Sequence, residues 1–490
     1  MQFASTRNAK YTVSGVRAIV DGPAPDGGLY LPQTFPAFPM EHLYGMSTED
    51  IVTWILHAFF DEFPAETCRQ MVRAAYGTNF PGGDIAPLTF AGDVSVLELF
   101  HGPTCAFKDV ALCLLPHLLK EAARLCGVEE DICILTATSG DTGSAALYGF
   151  SGVPGVHIAV FYPEGGVSPI QQRQMVTCPG KNTAVFAVRG NFDEVQSAVK
   201  AILADPPRLP GVRFSSANSI NVGRLIPQIS YYFKAYRDLC RRGKITPGAR
   251  VNFVVPTGNF GDILAGDFAR RMGLPVGRLV CASNENRVLT DFFRTGVYDR
   301  RRAFHLTASP SMDILISSNL ERLLALTFGA ERTATLMREL GGRGFYTLTP
   351  EELARLRPMF SAGYATDEAT LSTICRVFEK TGYLADPHTA VAMTVFASWH
   401  TSEEGNDDPT VVLSTASPYK FTGSVLRALG EDAGAGDFSD MERLARRSGT
   451  KAPAVLTGLE HVPVHHTGVT EISAMRGAVV RFLAGEEEKC

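Results

Sequence analysis

The chain of 490 residues has 10 cysteines but no CxxC pair and no paired Cys/His spacing. That argues against a zinc site or a disulfide scaffold, with no metal expected, and fits the reduced thiols of a cytosolic protein. Long apolar runs are also missing. Charge-free stretches such as residues 110–115 fall far short of the roughly 20 residues a membrane helix needs. There is no basic excess either: Lys plus Arg number 46 against 51 Asp plus Glu, a net charge of -5. Nothing therefore marks a nucleic-acid-binding stripe, although a few local cations suffice for an anionic small molecule. There is no internal repeat and no low-complexity tract. Residues 1–20 lack acids and carry Arg7, Lys10 and Arg17, as organellar targeting segments do. They have no apolar signal-peptide core, so a cytoplasmic location is expected.

What is present is an ordinary globular composition, 45% apolar and 20% charged, in a chain long enough to bury a large core. Residues 1–90 are turn-rich, with Pro23, Pro25, Gly27, Gly28, Pro36 and Pro39, and hold helix-like stretches near 48–60 and 65–76. From about residue 94, short apolar runs alternate with amphipathic helical segments. The runs at 132–137, 156–161, 183–188, 251–255, 279–282 and 411–413 are rich in β-branched residues and bounded by turn formers. They read as buried parallel strands, and the helical segments between them make the class α/β with doubly wound sheets. Ligands of such sheets bind where strands end and helices begin.

Five segments lie at such places. Phe107-Lys108-Asp109 follows a Gly102-Pro103 turn and opens an amphipathic helix with Leu112, Leu115, Leu118, Leu119 and Ala122 on one face. A lysine held there is either an exposed helix-start residue or an amine nucleophile with a lowered pKa. Thr138-Ser139-Gly140-Asp141-Thr142-Gly143 is either a capping turn or an anion nest. Gly258-Asn259-Phe260-Gly261-Asp262 precedes a helix, and its glycines would let backbone approach a phosphate. No Lys follows in the manner of a nucleotide-binding loop, and a capping turn remains the other reading. Asn218, Ser219 and Arg224 form either a phosphate grip or a solvated loop. Thr415 ends a strand, where its hydroxyl can meet a ring nitrogen or close a turn. Together the five depict a phosphorylated, aldehyde-bearing cofactor held between two α/β units, though no single one decides it.

In this order, and with Ser5-Thr6-Arg7, Pro25-Asp26-Gly27-Gly28, Phe100-His101-Gly102-Pro103-Thr104 and Thr415-Ala416-Ser417-Pro418, the segments resemble threonine synthase of the longer bacterial and fungal kind. The resemblance spans residues 5 to about 421, and Ser5 lies near the family's usual start. It implies a pyridoxal 5′-phosphate enzyme of fold type II, with two doubly wound parallel-sheet domains and an N-terminal extension. The implied division is 1–92 for the N-terminal domain, 93–128 with 240–490 for the large domain, and 129–239 for the small one. Lys108 matches the family's Schiff-base lysine. Gly258, Asn259, Phe260, Gly261 and Asp262 match the cofactor-phosphate cup, Thr415 the partner of the pyridine nitrogen, and Asp141 the partner of the O3′ region. Thr138, Ser139, Asn218, Ser219 and Arg224 match substrate contacts. Cys105, Val222 and Tyr419 depart from the family pattern without removing a functional group.

The implied reaction turns O-phospho-L-homoserine and water into L-threonine and phosphate, in a monomer or homodimer. Three rivals keep much of the same sequence: a phospho-lyase giving 2-oxobutyrate, a dehydratase or cysteine synthase, and a non-catalytic cofactor-binding protein. Arg224 and the long N-terminal part argue against the second. An intact Lys108 argues against the third.

Overall fold

The computed structural model describes residues 1–80 and 82–486. Its centre is a six-stranded sheet in the order Phe360–Tyr364, Val276–Ser283, Val251–Pro256, Thr410–Ser414, Val94–Glu98, Leu88–Ala91. The first five strands are parallel, and the last pairs antiparallel at the edge. A second sheet runs Gly468–Glu471, Thr183–Arg189, Val156–Pro163, Asp131–Ala137, Val212–Ser215, parallel throughout. The central strands of both sheets are buried almost end to end, as expected for parallel strands covered on both faces.

Every expected strand is present, and among the described residues these two sheets contain five others that the sequence reading does not name. Leu88–Ala91 and Val94–Glu98 form a hairpin around Gly92, Phe360–Tyr364 and Val212–Ser215 are edge strands, and Gly468–Glu471 returns from far along the chain. Residues 468–471 therefore join the sheet built mainly by 131–215, although the sequence reading grouped everything after 240 with the larger sheet. Only Thr470 of that strand is buried, so it offered no apolar run. Helix Met475–Leu483 follows it and packs Met475, Ala478 and Val479 against Leu135, Phe161 and Phe186.

The N-terminal part is a small antiparallel sheet of Gln2–Ser5, Thr12–Ser14 and Tyr30–Pro32 with helices Thr48–Phe59 and Ala65–Tyr76. Ser47 and Asp50 cap the first of these helices reciprocally. Phe38 stacks on Phe233 with centroids 4.2 Å apart, which docks this part on helix Ile229–Arg241. One expected helix is divided. Lys108–Leu112 and Leu115–Leu125 are separate, because Pro116 has no N–H and its ring would clash with the Leu112 carbonyl in a continuous helix. Gly149 packs directly on that carbonyl. Among the described residues no helix is long and apolar enough to cross a membrane.

Candidate active site

The site forms where strand ends of the two sheets face each other. Val94–Glu98 leads to Lys108, Thr410–Ser414 to Thr415, and Val251–Pro256 to the loop at Gly258. From the other sheet, Asp131–Ala137 leads to Thr138 and Val212–Ser215 to Asn218. All 13 residues named from the sequence line one pocket: Lys108, Thr138, Ser139, Asp141, Asn218, Ser219, Arg224, Gly258, Asn259, Phe260, Gly261, Asp262 and Thr415.

Lys108 is fixed by its surroundings. Phe107 N–H donates to the Thr415 carbonyl at 2.9 Å, and Ser417 N–H to the Cys105 carbonyl at 3.1 Å. Thr104 donates from its backbone and its hydroxyl to Asp109, at 2.9 and 2.5 Å. Burial lifts the Asp109 carboxyl to about 6 in spite of these donors. Lys108 itself is buried, not exposed. Its Nζ lies 4.5 Å from the Phe107 ring centroid and 3.3 Å from Asp141 Oδ2. Burial lowers its pKa; Asp141 opposes this, while Arg224 and Lys420 reinforce it.

Asp141 opens helix Asp141–Phe150 behind Gly140, whose φ of 118° and contact with Gln171 tolerate no side chain. Its carboxylate gathers Lys420 Nζ at 2.7 Å, Gln171 Nε2 at 2.8 Å, Ser311 Oγ at 3.1 Å and Lys108. Burial works to raise its pKa, but Lys420 and Lys108 hold it well below the ordinary carboxylate range.

The loop at 258–261 is an anion nest in form. Its backbone N–H groups donate to nothing among the described residues, and helix Gly261–Arg271 starts there, so amides and helix dipole face one way. Phe260 holds a φ of 62°, rare for a non-glycine residue. A Cβ on Gly258 would stand 2.9 Å from the Ser311 carbonyl oxygen, whereas one on Gly261 would meet its neighbours at 3.4 Å. Gly258 thus admits the 311–312 backbone as well as any ligand. Asp262 takes Tyr231 and Tyr232 hydroxyls on Oδ1, at 2.5 and 3.0 Å, and its buried Oδ2 has no partner among the described residues.

Arg224 carries the clearest sign of an absent anion. It is buried, donates to the Ala217 carbonyl at 2.9 Å and to Thr142 Oγ1 at 3.4 Å, and forms no ion pair among the described residues. Its Nε is buried without a partner, and burial brings its pKa down to about 10. A buried charge without a partner is costly, so the pocket is built for a negative group. The remaining residues are more committed. Thr138 Oγ1 accepts the Gly140 and Gly143 amides at 2.9 and 2.8 Å, which is a helix cap. Asn218 Nδ2 donates to the Ala137 carbonyl, and Ser219 Oγ accepts from Asn319. No hydrogen bond engages Ser139 or the Thr415 hydroxyl among the described residues. These donors and acceptors, with the Lys108 amine, fit a phosphorylated aldehyde such as pyridoxal 5′-phosphate.

The sequence reading missed Gln171, Ser311, His388 and Lys420. A small cavity shares Asn218, Ser219 and Asn259 with the pocket. It shares Lys200, Leu203 and Ile220 with a wide outer cleft of about 820 Å³.

Family models agree with this arrangement. One described as threonine synthase N terminus matches residues 2–76, one described as pyridoxal-phosphate dependent enzyme matches 92–416, and one described as threonine synthase, C-terminal, matches 389–476. A threonine synthase of Pseudomonas aeruginosa is 39% identical over 435 residues, 87% of this chain and 90% of that one. The chain belongs to the threonine synthase family. The crystal structure of pyridoxal-phosphate-bound threonine synthase from Brucella melitensis superposes with a TM-score of 0.86 at 38% identity, covering 98% of this chain and 99% of that one. The fold is therefore the family's α/β fold with an N-terminal extension. The human threonine synthase-like 1 protein is 39% identical over 437 residues, 84% of this chain but only 57% of its own length. Threonine synthases of yeast and Corynebacterium glutamicum are likewise matched over 89% and 91% of their own length.

Proposed function

We propose that the chain is a pyridoxal-phosphate-dependent enzyme that converts O-phospho-L-homoserine and water to L-threonine and phosphate. The observation that carries the reading is the buried Arg224 guanidinium, without an acid and with Nε unpartnered among the described residues, in the same pocket as a buried lysine amine. An amine beside an unmet cation suits a substrate that is both an amino acid and a phosphate ester.

Pyridoxal phosphate, when bound, supplies the electron sink that makes the substrate's Cα and Cβ protons removable. The protein's residues supply the rest. Lys108 would hold the cofactor through its amine; once freed by the substrate's amino group, its Nζ would take the proton from Cα, pass it on and take one from Cβ, and protons would return to Cγ as phosphate leaves and to Cα before product release. The amides of 258–261 hold the cofactor's phosphate, and Thr415 offers a hydroxyl, not a carboxylate, to the ring nitrogen. Arg224, with Ser139 and Asn218 nearby, binds the substrate's anionic ends and steadies the charge that gathers as phosphate leaves Cγ. Water then adds at Cβ.

The test is product analysis of the purified protein with O-phospho-L-homoserine. Threonine and phosphate in equal amounts are expected. Phosphate with 2-oxobutyrate and ammonia would make it a phospho-lyase, and no product would leave only cofactor binding.

A further inference from the structure

Lys420 is the most deeply buried cation at the site. It is wholly enclosed, at 0% exposure, in the turn Pro418–Lys420 that follows Thr415. Its Nζ lies 2.7 Å from Asp141 Oδ1 and donates to the Thr104 carbonyl at 2.8 Å. Lys108 reaches the other oxygen of the same carboxylate at 3.3 Å. One carboxylate thus faces two lysines, and the nearer is not the one that faces the pocket.

We propose that Lys420 is a positioning residue for the reaction: it takes the charge of Asp141, so that the Lys108 amine stands beside a carboxylate that already has its counter-ion.

This rests on Lys108 being the reactive amine. A base and nucleophile must spend time without its proton, and a lone buried aspartate at 3.3 Å would hold Lys108 as an ammonium. With Lys420 in place, the carboxylate and its partner form a neutral pair, and Gln171 and Ser311 add uncharged donors to it. The pair also serves when Lys108 gives up its charge to an aldehyde, because Asp141 is then not left alone in the interior. The groups facing Lys108 from the elements around it are Asp109 on its own helix, Asp141, Arg224, Asp262, His388 and Lys420. Among the described residues Arg224 has no acid of its own, Asp109 is engaged by Thr104, and Asp262 is engaged by two tyrosines. Asp141 is therefore the carboxylate closest to Lys108, and Lys420 decides how much of its charge is left over. The lowered pKa of Lys108 in spite of that carboxylate agrees with this balance.

The arrangement can be tested on the full chain freed of cofactor, by trace acetylation with acetic anhydride across pH and mass spectrometry of the Lys108 peptide. This reads the ionisation of Lys108 without any turnover. In wild type the midpoint should lie below that of an exposed lysine. In Lys420→Met it should rise by about one pH unit or more, because Asp141 is left with Lys108 alone. In Asp141→Asn it should fall, because Lys420 and Arg224 remain without the anion. Lys420→Arg should stay close to wild type. A role confined to holding the loops together would lower the melting temperature of these variants but would not move the midpoint in opposite directions. An unchanged or lower midpoint in a cooperatively melting Lys420→Met protein would overturn the proposal. If that variant does not fold, a midpoint in Asp141→Asn that fails to fall would overturn it. Borohydride reduction of wild type with pyridoxal phosphate, followed by peptide mapping, separately shows whether Lys108 carries the cofactor. A failure of that premise is thereby distinguished from a failure of the proposal.

Discussion

The Ser311 backbone N–H donates to Nε2 of His388 at 3.1 Å, so the ring carries its proton on Nδ1, which faces Asp386 at 2.8 Å. The same Ser311 turns its hydroxyl to Asp141. His388 thus anchors the segment that closes one side of the pocket against helix Pro387–His400. His388→Leu would leave the Ser311 amide without an acceptor and one donor missing from the buried Asp386, a loss of roughly 1–3 kcal/mol. The expected outcome is a lower melting temperature together with weaker cofactor retention. His388→Gln, which can accept at a similar place, should recover part of both. Equal behaviour of the two variants in a pyridoxal phosphate titration would remove the anchoring role.

Gly258 and Gly261 separate two reasons for a glycine. Gly258→Ala forces the Ser311–Met312 backbone aside, because its Cβ would lie 2.9 Å from a carbonyl oxygen, whereas Gly261→Ala meets only ordinary contacts at 3.4 Å. Gly258→Ala should therefore weaken cofactor binding tenfold or more, at a cost of about 1–3 kcal/mol. Gly261→Ala should change it much less. Dissociation constants from fluorescence titration decide the matter, and the reverse order would place the tight approach at Gly261.

Lys108→Ala should abolish turnover and the borohydride-trappable cofactor while leaving the fold nearly as stable. Asp141 retains Lys420, Gln171 and Ser311, so the substitution strands no buried charge. Lys420→Ala differs: breaking that buried pair from its nearer side should cost about 3–5 kcal/mol. Thermal melts of the two variants, compared with wild type, check the contrast. A larger loss from Lys108→Ala would mean that Asp141 relies on it.

Much of the site was legible because its residues sit at strand ends, where glycines and hydroxyl side chains cluster within a few positions. Lys108 and the 258–262 loop have such company. Lys420, His388, Gln171 and Ser311 do not. Asp386-Pro387-His388-Thr389 reads as a well-capped helix start, which it is, and nothing in that spelling shows that the imidazole's far side accepts an amide 77 residues away in sequence. Lys420 meets Asp141 only when the two sheets are brought together. The strands that escaped notice were short or at edges: Phe360–Tyr364 contains Ser, Ala and Gly, and Gly468–Glu471 buries one residue. The two-way choices at Thr138, Arg224 and Lys108 turn on burial, which local spelling does not specify.

Asp262 makes the stability of the fold depend on pH. Burial raises its carboxyl to about 6, although two tyrosine hydroxyls donate to it. An unfolded aspartate loses its proton near 3.9. Between about 4 and 6 the folded chain keeps a proton that the unfolded chain has lost, so this group's contribution falls as pH rises and is at its least favourable above about 6, by roughly 2–3 kcal/mol. Asparagine at 262 accepts the same two hydroxyls and does not ionise. The melting temperature of Asp262→Asn relative to wild type should therefore climb from pH 4 to pH 7. A difference that stays flat over that range would show that Asp262 ionises normally in the folded chain.

Arg224→Leu bears most directly on what the site binds. The guanidinium is buried, has no acidic partner among the described residues, and keeps Nε without an acceptor. Removing it strands no carboxylate and relieves the burial of a lone charge, so the melting temperature of the ligand-free protein should hold or rise. A residue kept for folding would behave oppositely. Substrate handling should suffer: losing one charge-assisted hydrogen bond typically costs ~1.5–3 kcal/mol, or about ten- to a hundredfold in kcat/KM for O-phospho-L-homoserine. If the bond tightens as phosphate departs, kcat falls along with affinity. The cofactor's absorbance should stay normal, because the amides of 258–261 and Lys108 are untouched. Melting temperature, absorbance and steady-state kinetics on one preparation give three readouts with different signs. A stable variant with normal absorbance and impaired kinetics assigns Arg224 to the substrate. Lost absorbance moves it to the cofactor's phosphate, and unchanged kinetics would mean that its unmet Nε faces solvent in the working enzyme and that the anion is held elsewhere.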